Sequence, residues 1–579
     1  MPRPVVEFEN FSFRYKAQKE PTLTGITLTV YEGEKVLILG ASGSGKSTLA
    51  NCINGLIPFA YEGEVSGSCR VNGREAGDLS IFELSHEVGT VLQDTDAQFV
   101  GLSVGEDVAF AMENSAMDRD EMLVRVVQNC REVGMESFLG ALPFSLSGGQ
   151  KQRAALAGVL DKETTLLIFD EPLASLDPRG GMSAIDLINR ISKNHTIIII
   201  EHRLEDVLYR PVDRVVLLDQ GQIVSNGGPA ELLKSGALNR CGIREPLYLK
   251  AMKYARCSLD DIPGIPEGGA FELPAENSEK LRIFFEKEAP RPAEERTDEI
   301  IRVENLSFTY EESPAAPALR SVSLAIHRGE SVAVIGKNGA GKSTLAKLLC
   351  GIVRPTEGTI FLKGENISSL SIREIACRTG YVMQDPNQMI VKDIVRDEVE
   401  FALRLREFSG AEIERRTREA LRTCDLYGMR NWPVEALSYG QKKRVTIASV
   451  LALEPEIIIL DEPTAGQDYR RYTEIMTFIG KLNRDYGKTM ILITHDMHLA
   501  LEEARRALVF ADGSLIADGP VYSILADSDT VEKAHLKMTS LHTLAESLGM
   551  SGRRCIEAYI NHERAERALR DREAAEEQA

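Results

Sequence analysis

The chain repeats itself once over most of its length, and this duplication limits its possible folds more than any other feature. The sequence FENFSFRY returns as VENLSFTY, GASGSGKSTLA returns as GKNGAGKSTLA, and LLIFDEP returns as IIILDEP. Lys46 and Lys342 lie 296 residues apart, and Glu171 and Glu462 lie 291 residues apart. A nearly constant offset of this size indicates a duplicated domain and not a short solenoid repeat.

The repeat predicts two large domains, at residues 1–240 and 299–530, with a connecting segment at 241–298 and a tail at 531–579. The 579 residues exceed a single hydrophobic core, since domains of about 100–250 residues are usual. The connecting segment is rich in Pro, Gly and Glu, which is typical of a linker, and its LRIFFE run predicts a short docking strand or helix. The tail is predicted to be helical with a charged, solvated face.

Within each copy, strand-like and helix-like runs alternate. In the first copy, β-rich runs at Val5–Tyr15 and Lys35–Leu39 precede a glycine loop and a helix. A mixed helical region follows, and then apolar runs at Leu166–Phe169 and Thr196–Ile200 have the length of buried strands. Strands that alternate with helices predict an α/β fold with a mainly parallel sheet.

Composition and charge exclude several classes of protein. A formal net charge of −19 repels phosphate backbones, so nucleic acid is not expected to be the main partner. No run approaches the roughly 20 apolar residues that span a bilayer, and the N-terminus has no apolar signal core. The nine cysteines form no CxxC pair and no zinc spacing, as expected for reduced thiols of a cytosolic protein. A role at the membrane would therefore require a partner.

Both copies contain the full GxxxxGK[ST] pattern of a phosphate-binding loop, as GASGSGKS and GKNGAGKS. The glycines allow a tight turn that points backbone N–H groups at phosphate oxygens, and the following helix adds its positive N-terminus. Lys46 and Lys342 are expected to reach the β- and γ-phosphates of ATP, and Ser47 and Ser343 are expected to bind Mg²⁺. The other predicted nucleotide contacts of the two loops are Gly40, Ser42, Gly43, Gly45, Thr48, Gly336, Asn338, Gly339, Gly341 and Thr344.

Two carboxylates follow each other at the end of a buried apolar run in both copies. Asp170 and Asp461 are expected to hold Mg²⁺ through water, and Glu171 and Glu462 are expected to polarise the attacking water. Successive side chains at a strand end point in opposite directions, so the two acids can have different roles. An ordinary acidic turn is the alternative, but it does not explain the neighbouring phosphate loop.

A glutamine and a histidine also recur at matching positions. Gln93 and Gln384 follow short apolar strands and could contact both the metal and the water without adding charge. His202 and His495 each end a strand, where the ring could contact a γ-phosphate. A single Gln is usually a surface residue and a single His is usually structural, but their recurrence favours a role in the site.

The sequences LSGGQ and LSYGQ lie between the phosphate loop and the DEP motif of each copy. This arrangement resembles ABC ATPases, and the resemblance covers both repeats and most of the chain. It implies two P-loop nucleotide-binding domains, each with a RecA-like mixed-sheet core, a β-subdomain and a helical subdomain, arranged as a head-to-tail pseudo-dimer. It also implies that each signature closes over the γ-phosphate bound by the opposite domain, through Ser147, Gly148, Gly149, Gln150, Ser438, Gly440 and Gln441.

The same resemblance assigns four further residues and suggests that the two sites are unequal. Asp177 and Asp468 resemble the D-loop aspartates of the family, and Tyr15 and Tyr310 resemble its adenine-stacking aromatics. Both sites keep the glutamate and the histidine, so both are predicted to hydrolyse ATP. The site that pairs the first phosphate loop with the second signature is predicted to be slower, because Tyr439 replaces a signature glycine and the first histidine lies in EHR instead of THD.

Three classes of twin ABC protein remain: the motor of a transporter, an ATPase that acts on ribosomes, and a DNA-repair ATPase. The repair class resembles chains with zinc modules, and this chain has no CxxC. Ribosome-acting twins carry iron–sulfur cysteines or a basic linker. The segment from Ile262 to Glu299 holds ten acidic and five basic residues, which is the wrong sign for RNA. A soluble twin that acts on ribosomes or other macromolecules stays the alternative to the transporter.

The segments QDTDAQFVGLSVGEDVAF and QDPNQMIVKDIVRDEVEF, with second glutamines Gln98 and Gln388, resemble the ATPases of energy-coupling factor (ECF) importers. The phrases IIIIEHR and TAGQD and the fusion of two ATPases agree. The resemblance implies a cytoplasmic motor, peripheral on the inner face of the cell membrane, for uptake of a vitamin, vitamin precursor or metal ion. Its partners are an integral membrane coupling subunit, which meets the segment after Gln93 or Gln384, and a substrate-binding membrane subunit. A thiamine pyrimidine is one solute that would fit.

The two ECF-like segments are not equivalent. Gln98 follows Gln93 by five residues, whereas Gln388 follows Gln384 by four. The second copy is therefore expected to dock differently on the membrane partner.

Overall fold

The protein consists of two compact units, each containing one copy of the repeat. The first unit is Met1–Ser278 with Asp468–Arg470, and the second is Glu279–Gln467 with Arg471–Ala579. The computed structural model describes residues 2–160, 164–174, 176–260, 271–287, 298–311, 316–464 and 469–578.

The core of the first unit is a six-stranded mixed sheet. Five strands are parallel and one edge strand is antiparallel. The central strand Lys35–Leu39 is buried at every position, as expected for a parallel strand covered on both faces. In spatial order the strands are Gln222–Gly227, Arg214–Asp219, Lys35–Leu39, Thr196–Glu201, Leu166–Asp170 and Val88–Val91.

A second, antiparallel sheet packs against the first through a shared apolar core. Phe8, Phe13 and Leu28 from this sheet belong to the same buried cluster as Ile38 of the mixed sheet and Leu49 of the helix after the phosphate loop. This packing fixes the phosphate loop between the two sheets. In spatial order the strands are Leu23–Tyr31, Pro4–Tyr15, Gly63–Val71 and Arg74–Glu75.

Three helices of the first unit pack on one another as a helical subdomain. They are Val104–Asn114, Arg119–Glu132 and Gly148–Val159, and the N-cap side chains of Ser103, Asp118 and Ser147 accept backbone N–H groups at their first turns. The remaining helices of the unit are Lys46–Ile53, Leu56–Phe59, Ile81–Glu87, Pro178–Ile191, Leu204–Val207, Pro229–Lys234, Ala237–Arg240 and Leu247–Tyr254.

The second unit repeats this plan with the same strand order. Its mixed sheet contains Thr379–Val382, Ile457–Asp461, Thr489–Ile493, Ser331–Gly336, Arg506–Ala511 and Ser514–Pro520. Its antiparallel sheet contains Leu319–His327, Glu299–Phe308, Glu357–Leu362 and Glu365–Asn366. Its helices up to the last strand are Lys342–Leu349, Ile372–Arg378, Val395–Leu405, Gly410–Thr423, Tyr439–Leu451, Tyr469–Arg484 and Met497–Glu503.

These elements confirm the predicted α/β fold with a mixed-sheet core, an antiparallel sheet and a helical subdomain in each domain. The tail is helical as predicted, after the short helix Val521–Ile524, with helices Ser528–Lys533, Ser540–Ser547 and Gly552–Gln578. No helix in the described ranges is long and apolar enough to cross a membrane. The head-to-tail pairing of the domains and the exact domain bounds stay predictions.

The LRIFFE run forms part of the helix Ala275–Lys287, whose second half docks on the tail of the second unit. The Arg282 guanidinium donates to the Leu548 carbonyl at 2.9 Å, and Arg554 donates to the Glu286 carbonyl at 3.1 Å. Phe285 is fully buried, whereas Ile283 is 55% exposed. The connecting segment therefore contributes a structural helix to the second unit.

Replacing Phe285 by Ala should loosen this helix from the tail by roughly 3–5 kcal/mol, because a buried aromatic side chain and its packing are lost. Native-state hydrogen exchange of the backbone at residues 552–560 should become correspondingly faster. Ile283→Ala, on the same helix but exposed, is the matched control and should change the free energy of opening by less than about 0.5 kcal/mol. Equal effects of the two variants would contradict the docking.

Candidate nucleotide-binding and hydrolysis sites

Each phosphate loop is folded around its own lysine. The Lys46 ammonium donates to the carbonyls of Gly40 and Ala41, both at 2.9 Å. The Lys342 ammonium donates to the carbonyl of Gly336 at 2.7 Å and to that of Lys337 at 2.8 Å. Both lysines are buried. The loop is thereby held in a closed curve with a positive charge at its centre, which suits a phosphate.

The helix after each loop begins at a glycine in the left-handed region. Gly45 has φ 102° and Gly341 has φ 98°, and neither helix start has a side-chain cap among the described residues. A Cβ on Gly341 would lie 2.5 Å from the Ala318 carbonyl oxygen, so no other residue fits there without a shift. The first N–H groups of both helices can therefore donate to an anion, and binding of phosphate there stays a prediction.

In each domain the predicted serine and aspartate ligands of Mg²⁺ come together beside the phosphate loop. Ser47 Oγ lies 3.5 Å from Asp170 Oδ1, and burial, followed by the charge of Glu171, raises the pKa of Asp170 to about 6. Asp461 is buried, whereas Asp170 is only partly buried, and the Tyr381 hydroxyl donates to Asp461 Oδ2 at 2.8 Å. A partly or fully buried carboxylate beside a serine hydroxyl is a donor set that fits Mg²⁺, since this ion prefers oxygen ligands and its charge would stabilise the ionised acid.

The two glutamates do not continue the strands that precede them. The strands end at Asp170 and Asp461, and Glu171 and Glu462 adopt left-handed backbone conformations with φ 48° and 44°. A non-glycine residue in this region costs roughly 1–3 kcal/mol and is typical of functional sites. The sequence pattern predicts that strand alternation separates the two carboxylates, and this explanation is wrong. A backbone turn at the glutamate separates them instead.

The two domains hold this glutamate through different partners. In the first domain, Gln93 Nε2 donates to Glu171 Oε2 at 2.8 Å, and His202 Nδ1 is 3.8 Å from Glu171 Oε1. In the second domain, His495 Nδ1 lies only 2.6 Å from Glu462 Oε1. The predicted glutamine, glutamate and histidine of the first domain thus converge, and in the second the histidine and glutamate form the close pair.

Glu201 is a site residue that the sequence reasoning missed. Its side chain is fully buried and accepts hydrogen bonds from the backbone N–H groups of Leu173 at 3.0 Å, His202 at 2.9 Å and Arg203 at 3.2 Å. The matching residue in the second domain is Thr494, which is uncharged. The sequence signal for this residue is the contrast between EHR and THD, which places a glutamate in the first domain where the second has a threonine.

Glu201 changes the electrostatics of the first histidine. Burial lowers the pKa of His202, but the neighbouring carboxylates of Glu171 and Glu201 outweigh this effect and raise it above the ordinary value. His202 Nδ1 lies 3.7 Å from Glu201 Oε2. The protonated, positively charged form of His202 is therefore favoured more in the first domain than it is for an isolated imidazole ring.

The signature serines cap the helices that follow them. The Ser147 hydroxyl accepts from the Gln150 N–H at 3.4 Å while Ser147 N–H donates to Gln150 Oε1 at 2.8 Å, and Ser438 and Gln441 form the same reciprocal pair. Gly148 and Gly149 lie in the first turn of the first helix. The capping explains why this serine and glutamine recur. The prediction that each signature completes the site of the other domain stays a prediction.

The remaining predicted residues have local partners. The hydroxyls of Tyr15 and Tyr310 lie 3.1 and 3.2 Å from the hydroxyls of Thr48 and Thr344. Both rings thus stand beside the phosphate loops, and adenine stacking stays a prediction. The Asp177 carboxylate accepts from the Gly180 N–H at 2.8 Å and caps the helix Pro178–Ile191, whereas Asp468 lies outside the described residues.

A phosphate loop, an aspartate at the end of a buried strand, a strained glutamate and a histidine at one sheet edge define a P-loop ATPase. The family model described as "ABC transporter" matches residues 23–174 and 319–465 of this chain. A second model, described as "ATP-binding cassette cobalt transporter", matches residues 235–308. The chain belongs to the ABC transporter family, as a tandem ATPase that binds and hydrolyses ATP.

Full-length relatives support this assignment. A protein of Enterococcus faecalis is 50% identical over 95% of this chain and 96% of its own length. A protein of Clostridium perfringens is 49% identical over 94% of this chain and 95% of its own length, and both are named provisionally as ABC transporter ATP-binding proteins.

Among solved structures, cbiO1 from Clostridium perfringens is described as part of the ABC transporter complex cbiONQ. It is 33% identical over 43% of this chain and 99% of its own, with a TM-score of 0.38.

Replacing Glu201 by Gln should slow ATP hydrolysis in the first domain by roughly tenfold, because hydrogen bonds to a charged acceptor are weakened around His202. The rate is measured in a chain that also carries Glu462→Gln, because Glu462 is the predicted catalytic residue of the second domain. The pKa of His202 should fall, since one of its two neighbouring carboxylates is neutralised. It can be followed by NMR.

The matched control combines Glu201→Gln with Glu171→Gln, because Glu171 is the predicted catalytic residue of the first domain. Its ATPase rate should equal that of Glu171→Gln alone. A loss in this control would indicate a general folding defect instead of a local effect on His202.

Proposed function

We propose that this chain is the motor subunit of an ECF-type importer, which couples ATP hydrolysis in its two domains to uptake of a vitamin, vitamin precursor or metal ion. The match of residues 235–308 to a cobalt transporter model supports the metal ion among these solutes. The chain would act at the inner face of the cell membrane with an integral coupling subunit and a substrate-binding subunit.

The observation that carries this proposal is an apolar cavity in the first domain. It has a volume of about 390 Å³ and lies directly beside the segment after Gln93. Its lining includes Phe82, Leu92 and Phe110, which are all more than a third exposed. A surface of large exposed apolar side chains in a concave site is typical of docking sites.

Gln98 lines this cavity and links two other residues of its lining. Its amide donates to the Thr90 carbonyl and its oxygen accepts from the Leu92 N–H, both at 3.1 Å. In the second domain a sulfur takes the corresponding place, since the Met383 N–H lies 3.2 Å from Met389 Sδ. An apolar helix of the coupling subunit fits such a cavity, and the contrast supports unequal docking of the two domains.

The site residues divide the work of hydrolysis. Ser47, Asp170 and Gln93 in the first domain, and Ser343, Asp461 and Gln384 in the second, would hold Mg²⁺, which neutralises phosphate charge when bound. Lys46 and Lys342 hold the phosphates. Glu171 and Glu462 orient the attacking water and accept its proton, and His202 and His495 orient the glutamates.

Replacing both Glu171 and Glu462 by Gln should lower ATP turnover by roughly a hundredfold or more, because the group that accepts the proton is lost. Binding of ATP should persist, since both phosphate loops are intact. Steady-state phosphate release and equilibrium nucleotide binding measure the two effects. Glu20→Gln, at an exposed position outside the sites, is the control. Undiminished turnover in the double variant would refute the assignment.

Replacing Phe110 by Glu should weaken the membrane assembly, because a charge enters the apolar cavity where the coupling helix is proposed to dock. The measurement is co-purification of an integral membrane protein with the chain in mild detergent. Val124→Glu places the same charge on an exposed helix outside the cavity and should leave recovery unchanged. Sedimentation with ribosomes, and no membrane partner for the unmodified chain, would overturn the importer.

A further inference from the structure

The second domain contains a buried lysine that the hydrolysis chemistry above does not use. Lys443 is 1% exposed, and its ammonium donates to the main-chain carbonyls of Met383 at 2.6 Å and Gln384 at 2.8 Å. The hydroxyl of Tyr439 donates to the same Gln384 carbonyl at 3.2 Å. Tyr439 and Lys443 are four residues apart on one helix and therefore share a face.

The first domain has a different link at the matching positions. Gly148 has no side chain, and the Gln152 amide donates to the carbonyl of Pro172 at 2.8 Å. At this position the signature helix of the first domain is thus bonded to the loop after Glu171. Among the described residues, its contact with the segment after Gln93 is made by side chains alone, since the Lys151 ammonium donates to Asp96 Oδ1 at 2.6 Å. The signature helix of the second domain is bonded to the segment that carries Gln384.

A buried ammonium is costly unless strong acceptors surround it. A neutral glutamine occurs at the matching place in the first domain and avoids this cost. The two bonds from Lys443 to main-chain carbonyls must therefore compensate for its burial. Detaching the Met383–Gln384 segment from the helix would leave the buried ammonium without these acceptors, so the attachment is strong.

We propose that Lys443 and Tyr439 are positioning residues that hold Gln384 through its main chain, so that its placement follows the signature helix of the second domain. Gln93 of the first domain is placed instead by the bond of its side chain to Glu171. The two ATPase domains therefore differ in what holds this glutamine: the signature helix in the second domain, and Glu171 in the first. The inference rests on the proposed role of Gln384 beside the metal and the water.

The test uses the full chain with Glu171→Gln, so that only the second domain turns over. Lys443→Gln, which installs the residue of the first domain, should lower kcat by roughly tenfold or more, since bonds from a charged donor are lost. KM for ATP should change much less, because the phosphate loop is untouched. Lys443→Arg keeps a charged donor and should restore part of kcat. Lys481→Gln, at an exposed position of the helix Tyr469–Arg484, is the control and should have no effect.

A double-mutant cycle with Gln384→Ala shows whether Lys443 acts through Gln384. If it does, Lys443→Gln adds little to the loss caused by Gln384→Ala. Additive losses, or an unchanged kcat in Lys443→Gln, overturn the inference. An unchanged kcat in Gln384→Ala instead overturns the proposed role of Gln384, and with it the function of the link.

Hydrogen exchange gives a readout that does not depend on catalysis. Backbone amides at residues 383–388 should exchange faster in the Tyr439→Gly, Lys443→Gln double variant, because their segment is detached from the helix. Residues 92–97 of the first domain serve as the internal reference and should not change. Equal protection of residues 383–388 in the variant and the parent chain overturns the inference even if the variant loses activity through general destabilisation.

Discussion

The sites depend on the parallel pairing of the central strands. Because Lys35–Leu39 pairs with Thr196–Glu201, and that strand pairs with Leu166–Asp170, their carboxyl ends meet at one edge. In the register, Leu39 is opposite Glu201 and Asp170 is opposite Ile200. The phosphate loop, the acidic pair and the histidine follow these three ends directly. A slip of one residue in this pairing would turn every side chain of the strand to the other face and separate the groups.

This edge of the sheet also holds Glu171 and Glu462 in their strained, left-handed backbone conformations. Glu171 donates its N–H to Ile200, and Glu462 donates its N–H to Ile493, so the chain stays attached to the neighbouring strand while it turns. The left-handed conformation is thus held by the sheet on one side. The backbone turn sets the direction of the glutamate side chain. Its carboxylate is then held by a polar partner, which is Gln93 in the first domain and His495 in the second.

Duplication has preserved the frame and varied what surrounds it. The strand order, the phosphate loops and the capped signature helices are the same in both domains. The differences lie in residues that contact the predicted site residues: Glu201 is close to His202 in the first domain, and Lys443 binds the Gln384 segment in the second. These residues alter charge and attachment but leave the sheet register intact. The proposed importer would have two motors that share one chemistry and respond differently to a membrane partner.

The sequence by itself determined the class of fold, the two domains and the residues of the phosphate loops, because these depend on local patterns. Apolar runs of strand length and glycines before a helix leave few alternatives. The tertiary structure decided what depends on groups distant in sequence: the left-handed turn of Glu171, the buried charge of Glu201 behind His202, and the bonds of Lys443 to a segment 59 residues away. No local pattern encodes these, since burial and hydrogen-bond partners exist only once the strands and helices have packed.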